Sequence, residues 1–112
     1  MNSLQASDAE AAAVAVAPRV SLADIEAVVE GRYHFTGLEA VPGGHPKHDA
    51  GLAVLSICIL VTRNGFNVIG KSAPASPANF NAELGRKLAY EDCIRQLWPL
   101  MGYALRDRLA AS

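Results

Sequence analysis

A short histidine-containing segment, His45-Pro46-Lys47-His48-Asp49, is the stretch of this sequence that most resembles a metal site. Two imidazoles and a carboxylate are ordinary zinc ligands, but a stable site needs three or four ligands at suitable spacing. No cysteine or further histidine stands at such a spacing from this segment. We therefore predict a solvated loop here, with no bound metal and no other cofactor.

The two cysteines are the next candidates for chemistry. Cys58 and Cys93 lie 35 positions apart, which is neither a metal-ligand spacing nor the density of a disulfide scaffold. Cys58 belongs to an apolar run and Cys93 to the apolar side of a predicted helix, and burial raises the pKa of a thiol, which makes it a poor nucleophile. The sequence also lacks G-x-S-x-G and a glycine-rich phosphate loop. We predict two free thiols in a reducing cytoplasm and a protein that is not an enzyme.

Charge is unevenly distributed along the 112 residues, whose formal net charge is −1. Residues 1–31 hold five acidic side chains against Arg19 alone, a balance of −4. Residues 32–112 hold nine basic side chains against six acidic ones, a balance of +3. No apolar run reaches the ~18 to 20 residues that span a bilayer, so we expect no membrane association. The candidate nucleic-acid contacts are Lys47, Lys71, Arg86 and Lys87.

The elements that must position these groups begin after an alanine-rich stretch. Residues 1–20 carry little bulky apolar surface, which predicts a flexible N-terminal tail before a single domain at residues 21–110. Ser21 and Asp24 form a capping pattern that predicts a helix from 21 to 30, ended by Gly31. The alternation from Arg32 to Leu38 predicts a strand with Tyr33 and Phe35 on one side, and a loop rich in glycine and proline follows.

A hairpin is predicted where the apolar run L-A-V-L-S-I-C-I-L-V-T-R meets Asn64-Gly65. A two-residue type I′ turn at these positions pairs Val61 with Val68. That register places Val61 and Val68, with Leu55, Ile57 and Ile59, against the core. The opposite, open face then carries the residues that we predict to contact a partner: Leu60, Asn67, Ile69 and Lys71.

A second helical region follows Pro77. Gly85, Ala89 and Cys93 are small residues at four-residue steps, which predicts a close approach of this helix to the sheet. Pro99 predicts a kink or a restart, because proline lacks the amide hydrogen and clashes with the preceding turn. The predicted fold is α+β: a three-stranded antiparallel sheet with helices packed on one face, in the order α-β-β-β-α-α.

Two resemblances follow from longer strings. The topology, with G-R-K-L-A-Y-E-D-C-I-R-Q-L, is similar to the double-stranded RNA-binding domain, in which lysines at the start of the second helix contact phosphates. The strings R-N-G-F-N-V-I-G-K-S, S-P-A-N-F-N-A-E-L-G-R-K-L-A-Y-E-D and L-W-P-L-M-G-Y-A-L resemble the small tailed-phage family named after gene forty-nine of phage N-four and gene sixty-six of phage Sf-six. The second resemblance spans roughly residues 20–109 and transfers no site residues.

The phage resemblance implies an accessory protein of a phage or prophage, made in the host cytoplasm. We predict that it binds a host or bacterial defence protein through the open face, as a homodimer if two such faces pair. One alternative is weak nucleic-acid binding with a double-stranded-RNA-binding-like fold. Another is a nucleotide or small-molecule sponge with a pocket at a dimer interface.

Overall fold

Five α-helices, two short 3-10 helices and three β-strands lie within residues 2–112 of the computed structural model, which describes every residue except the first. The first residue of the predicted tail therefore lies outside the described residues. The helices are α1 (Ser3–Val14), α2 (Leu22–Val28), α3 (Gly37–Ala40), α4 (Asp49–Ala53) and α5 (Ala82–Ala111), and the strands are β1 (Val29–Thr36), β2 (Ser56–Thr62) and β3 (Asn67–Ser72). The strands form one antiparallel sheet in the order β1-β2-β3, so the predicted α+β class is confirmed.

The capping pattern before α2 has the predicted geometry. Ser21 Oγ accepts a hydrogen bond from the Asp24 amide at 3.0 Å, and Asp24 Oδ2 accepts one from the Ser21 amide at 2.9 Å. The helix ends at Val28, however, and β1 begins at Val29, earlier than the alternation from Arg32 suggested. Two consecutive β-branched valines favour the extended strand.

Much of the predicted tail is helical. Asn2 caps α1, and Leu4 is buried against the core. Asp8 links α1 to the domain, because its Oδ1 accepts hydrogen bonds from the Leu22 amide at 3.0 Å and from Arg19 Nη1 at 2.9 Å. The flexibility of residues 1–20 stays a prediction.

The predicted register of the hairpin is wrong by one residue. Val61 pairs with Asn67 and Leu60 with Val68, because the connection has three residues, 63–65, instead of two. Gly65 has a φ of 86°, whereas no other residue of 2–112 except Gly43 has a positive φ. A type I′ turn requires positive φ at both central positions, so Asn64 does not form one. A three-residue loop closed by a left-handed glycine takes its place.

A shift of one residue reverses the faces of one strand relative to its partner. Here β3 keeps its predicted faces, with Val68 in the core and Ile69 exposed, whereas β2 has its two faces exchanged. Leu60 is therefore fully buried in the core, with Cys58 and Val68, and the prediction that it faces a partner is wrong. Val61 and its neighbours Ile57 and Ile59 lie on the opposite face and are half-buried.

Helix α5 lies directly on the core side of the sheet. A Cβ added to Gly85 would collide with Ser56 Oγ, and one added to Gly70 would collide with the Ala89 carbonyl oxygen. The predicted close approach of the helix to the sheet is confirmed. Pro99 lies inside one continuous helix, so the two predicted C-terminal helices are a single element.

The apolar stripe of α5 is buried only where the helix lies on the sheet. Ala89, Cys93, Ile94 and Leu97 are buried, but Leu100 and Ala104 are exposed because they lie beyond the sheet. Glu91 is only 4% exposed although it is an acidic residue, and its Oε2 has no hydrogen-bond partner among residues 2–112. No helix in this described range is long and apolar enough to cross a membrane.

Candidate functional site on the open face of the sheet

The face of the sheet that is turned away from α5 is largely apolar. Side chains of directly paired residues in an antiparallel sheet share one face. The pairings therefore define three rows across the sheet, and we call their side chains the open face: Gly31–Val61–Asn67, Tyr33–Ile59–Ile69 and Phe35–Ile57–Lys71.

The central row of the open face is the most exposed to solvent. Tyr33 is 61% exposed and Ile69 is 59% exposed, and Ile59 between them is half-buried. The Tyr33 ring lies over Gly31, with its Cε2 atom 3.0 Å from the place that a Cβ on this glycine would occupy. An aromatic ring that covers a strand glycine in this way supports the local strand structure and leaves its outer face open to a partner.

One edge of the sheet is protected by side chains of α5. The Lys71 amide donates to Asp92 Oδ2 at 3.0 Å, and Gln96 Nε2 donates to the Ile69 carbonyl oxygen at 2.6 Å. These bonds occupy backbone groups that an added strand would need. A partner at this side would therefore contact the side chains of the open face instead of extending the sheet beyond β3.

Three of the four residues predicted to contact a partner lie on the open face: Asn67, Ile69 and Lys71. Leu60 does not, for the reason given above. The sequence reasoning missed Ile57, Ile59 and Val61, because it assigned them to the core. The alternation that placed Tyr33 and Phe35 on one side of β1 was a usable signal, but a single strand does not show which side faces the helices.

The four candidate nucleic-acid contacts do not share one surface. Arg86 and Lys87 lie on the first turns of α5, on the helical side of the sheet, whereas the Lys71 side chain projects from the open face. Lys47 lies in a short 3-10 turn, Pro46–His48, in the connection between β1 and β2.

In the histidine-containing segment, one of the imidazoles accepts a hydrogen bond from a backbone amide. His45 Nδ1 accepts a hydrogen bond from the Lys47 amide at 3.1 Å, and the His45 and His48 ring centroids are 5.4 Å apart. Within residues 2–112 there is no group of three or more His, Cys, Asp or Glu residues that could hold a metal ion.

The two thiols meet in the core. Cys93 Sγ lies 3.4 Å from the Cys58 carbonyl oxygen, and both residues are completely buried. Burial raises the pKa of the Cys93 thiol to about 12, with further contributions from Cys58 and Asp92, and burial also raises the pKa of Cys58. Such thiols are poor nucleophiles at neutral pH.

The arrangement as a whole is a three-stranded antiparallel sheet with α5 on one face and an open second face. The chain belongs to the family described as Phage protein (N4 Gp49/phage Sf6 gene 66), whose sequence pattern it matches over residues 20–109. The matched range begins before α2 and includes the entire sheet and nearly all of α5. Searches of curated proteins and of solved structures found no match.

Proposed function

We propose that this phage protein is a non-enzymatic binding protein that captures and modulates a host or bacterial defence protein in the host cytoplasm. The observation that carries the proposal is the open face, where six large apolar side chains stand together on one side of the sheet: Tyr33, Phe35, Ile57, Ile59, Val61 and Ile69. Contiguous apolar surface of this kind is typical of interaction sites.

The open face also indicates what chemistry its partner would present. Tyr33 offers a large, exposed aromatic ring at one end of the central row, and aromatic side chains are common anchors of protein interfaces. Lys71 contributes the one formal charge of the face, at the end of the outer row. The complementary surface is therefore apolar at its centre and carries a carboxylate at one margin.

A capture experiment with two matched variants tests this proposal. Tagged protein is incubated with host lysate, and the captured protein is identified and its affinity measured with purified material. Ile69→Lys places a charge in the central row of the open face and should weaken that affinity at least about tenfold, which corresponds to about 1.4 kcal/mol. Leu88→Lys makes the same chemical change at a residue that is 40% exposed on α5 and should leave the affinity unchanged.

Thermal unfolding of both variants shows whether the fold is retained. Equal binding of the wild type and of a folded Ile69→Lys variant would contradict the proposed docking surface. A wild-type protein that binds no host or defence protein at all would contradict the proposed function itself.

The nucleic-acid alternative has less support, because its basic residues stand on separate surfaces. Each phosphate contact contributes to affinity and to its salt dependence, so cations that cannot contact one duplex together give weak binding. Titration with duplex RNA and DNA at about 50 mM salt, where such contacts are strong, separates the two functions.

A further inference from the structure

The chain exposes more surface to solvent than is expected for a folded monomer of its mass. Its accessible surface is 7330 Å², whereas a folded protein of 11.8 kDa is expected to expose about 5,900 Å². Its radius of gyration is 16.9 Å, compared with about 13 Å for a typical domain of this length. The excess of about 1,400 Å² is larger than the ~800 Å² that each partner buries in a standard interface.

The open face accounts for only part of this excess. Three strands spaced about 4.8 Å apart and six residues long cover about 14 Å by 20 Å, or about 300 Å². Helix α5 has 30 residues and is therefore about 45 Å long, roughly twice the length of the sheet. Every residue from Pro99 to Ser112 is exposed or half-buried, so the C-terminal half of α5 extends beyond the sheet with little covering.

An apolar groove lies where this uncovered half of α5 passes the tip of the hairpin. Its cavity measures about 350 Å³, and its lining is apolar apart from two residues: Val28, Thr62, Asn64, Phe66, Leu97, Leu100, Met101 and Ala104. The polar exceptions bond to each other, since Thr62 Oγ1 lies 2.6 Å from Asn64 Oδ1. Phe66 is 53% exposed and Leu100 is 48% exposed, although both border the groove. The groove therefore suits an apolar helix more than a polar ligand.

We propose that a second copy of this chain occupies the groove, with the two α5 helices antiparallel about a twofold axis near Ala104. The uncovered half of α5 provides both an apolar ridge and one wall of the groove, which a self-complementary twofold interface requires. Ala104 is small and lies near the middle of residues 97–111, where it permits two helices to cross closely.

The charges along α5 select the antiparallel orientation. With the axis at Ala104, the two Arg108 residues lie about 6 Å along the helix on opposite sides of it, about 12 Å apart and beyond the Debye length of ~8 Å. The same alignment brings Asp107 of each copy level with Met101 of the other. The surface cavity that Met101 lines also holds Arg19, Arg63 and Arg108 against one acidic residue, Asp24, so the carboxylate arrives at a predominantly basic cavity.

Sedimentation or light scattering at about 100 µM tests the dimer. The wild type should have a mass of about 24 kDa, twice that of the chain. Leu100→Glu buries a charge in the groove and should give a folded monomer. Ile69→Lys changes the open face and should stay dimeric, so this test is independent of the proposed host-protein contact.

A cross-linking variant tests the position of the axis. Ala104→Cys should form an intermolecular disulfide rapidly when diamide is the oxidant, because a residue beside a twofold axis meets its own copy. Leu88→Cys is the control and should not cross-link, and the native cysteines are both buried. A wild type that is monomeric at this concentration would overturn the inference. So would a dimer that Ile69→Lys dissociates and Leu100→Glu does not.

Discussion

Ala89 of α5 lies directly against Gly70 of β3. The Ala89 carbonyl oxygen occupies the space of a Cβ on this glycine, and the Cys93 amide nitrogen is only 2.8 Å from the same position. Both obstructing groups are backbone atoms of a helix and cannot rotate away. The separation of the helix from the sheet is therefore set by the missing side chain at Gly70.

Gly70→Ala should destabilise the protein. The added methyl group forces α5 away from the sheet, and overpacking of this kind lowers the free energy of unfolding by about 1 to 3 kcal/mol. Gly51→Ala is the control, since a Cβ there meets nothing within 4 Å. Urea denaturation should show a loss only for Gly70→Ala. Equal stability of both variants would mean that the helix moves freely over β3.

Local sequence signals predicted the element types better than the faces. The alternation in β2 and β3 was sufficient to place two paired strands, and the small residues of α5 were sufficient to place its contact with the sheet. The register depended on the φ of one residue, Asn64. Asparagine adopts both right-handed and left-handed helical conformations, so its type did not distinguish a two-residue from a three-residue connection. This choice exchanged the two faces of β2.

The same limitation applies to the candidate site. Ile57, Ile59 and Val61 are as apolar as the core residues Leu60 and Val68, so composition does not show which set is covered. Coverage was decided by α5, whose approach requires Gly70 and Cys58 on its side of the sheet. That is a relationship between distant segments, and it became visible only when β2, β3 and α5 were placed together.

Asp8 should hold α1 on the domain. Its carboxylate accepts hydrogen bonds from the Leu22 amide and from Arg19, which lower the pKa of Asp8 in that order of size. Asp8→Asn removes the charge, so cleavage by trypsin after Arg19 should become several-fold faster. Glu10→Gln on the same helix is the matched control. If both variants are cleaved at the wild-type rate, α1 is not anchored through this residue.

His34 should make stability depend on pH between 7 and 5. Its pKa is lowered from 6.5, first by burial and then by Arg32 and Arg86, and Arg32 Nε donates to its Nε2 at 2.8 Å. The unfolded chain therefore binds a proton more readily than the folded one, so the free energy of unfolding falls as the pH drops below about 6.5.

Two measurements check the role of His34. Its imidazole should titrate below pH 6.5 in an NMR experiment on the folded protein. His34→Phe should flatten the dependence of stability on pH within this window, which lies above the range where Asp8 and Asp24 become protonated. A midpoint at or above 6.5 would contradict the prediction.

The Cys93 thiol should be inert in the folded protein and should limit stability in alkali. With a pKa of about 12, only about one thiol in ten thousand is ionised at pH 8, so a disulfide reagent should label Cys93 only when the protein opens.

The unfolded Cys93 thiol ionises near its ordinary pKa of 9.0, and the folded state favours the neutral form. This contribution to stability is therefore complete below pH 9 and is lost as the pH rises towards 12. Labelling kinetics and urea denaturation from pH 7 to 11 check both points. Cys93→Ala should show a smaller alkaline decline, because Cys58 and Tyr90, whose pKa values are also raised by burial, still contribute to it. Rapid labelling of the native wild type at pH 8 would show that α5 separates readily from the sheet, contrary to the packing of Ala89 on Gly70.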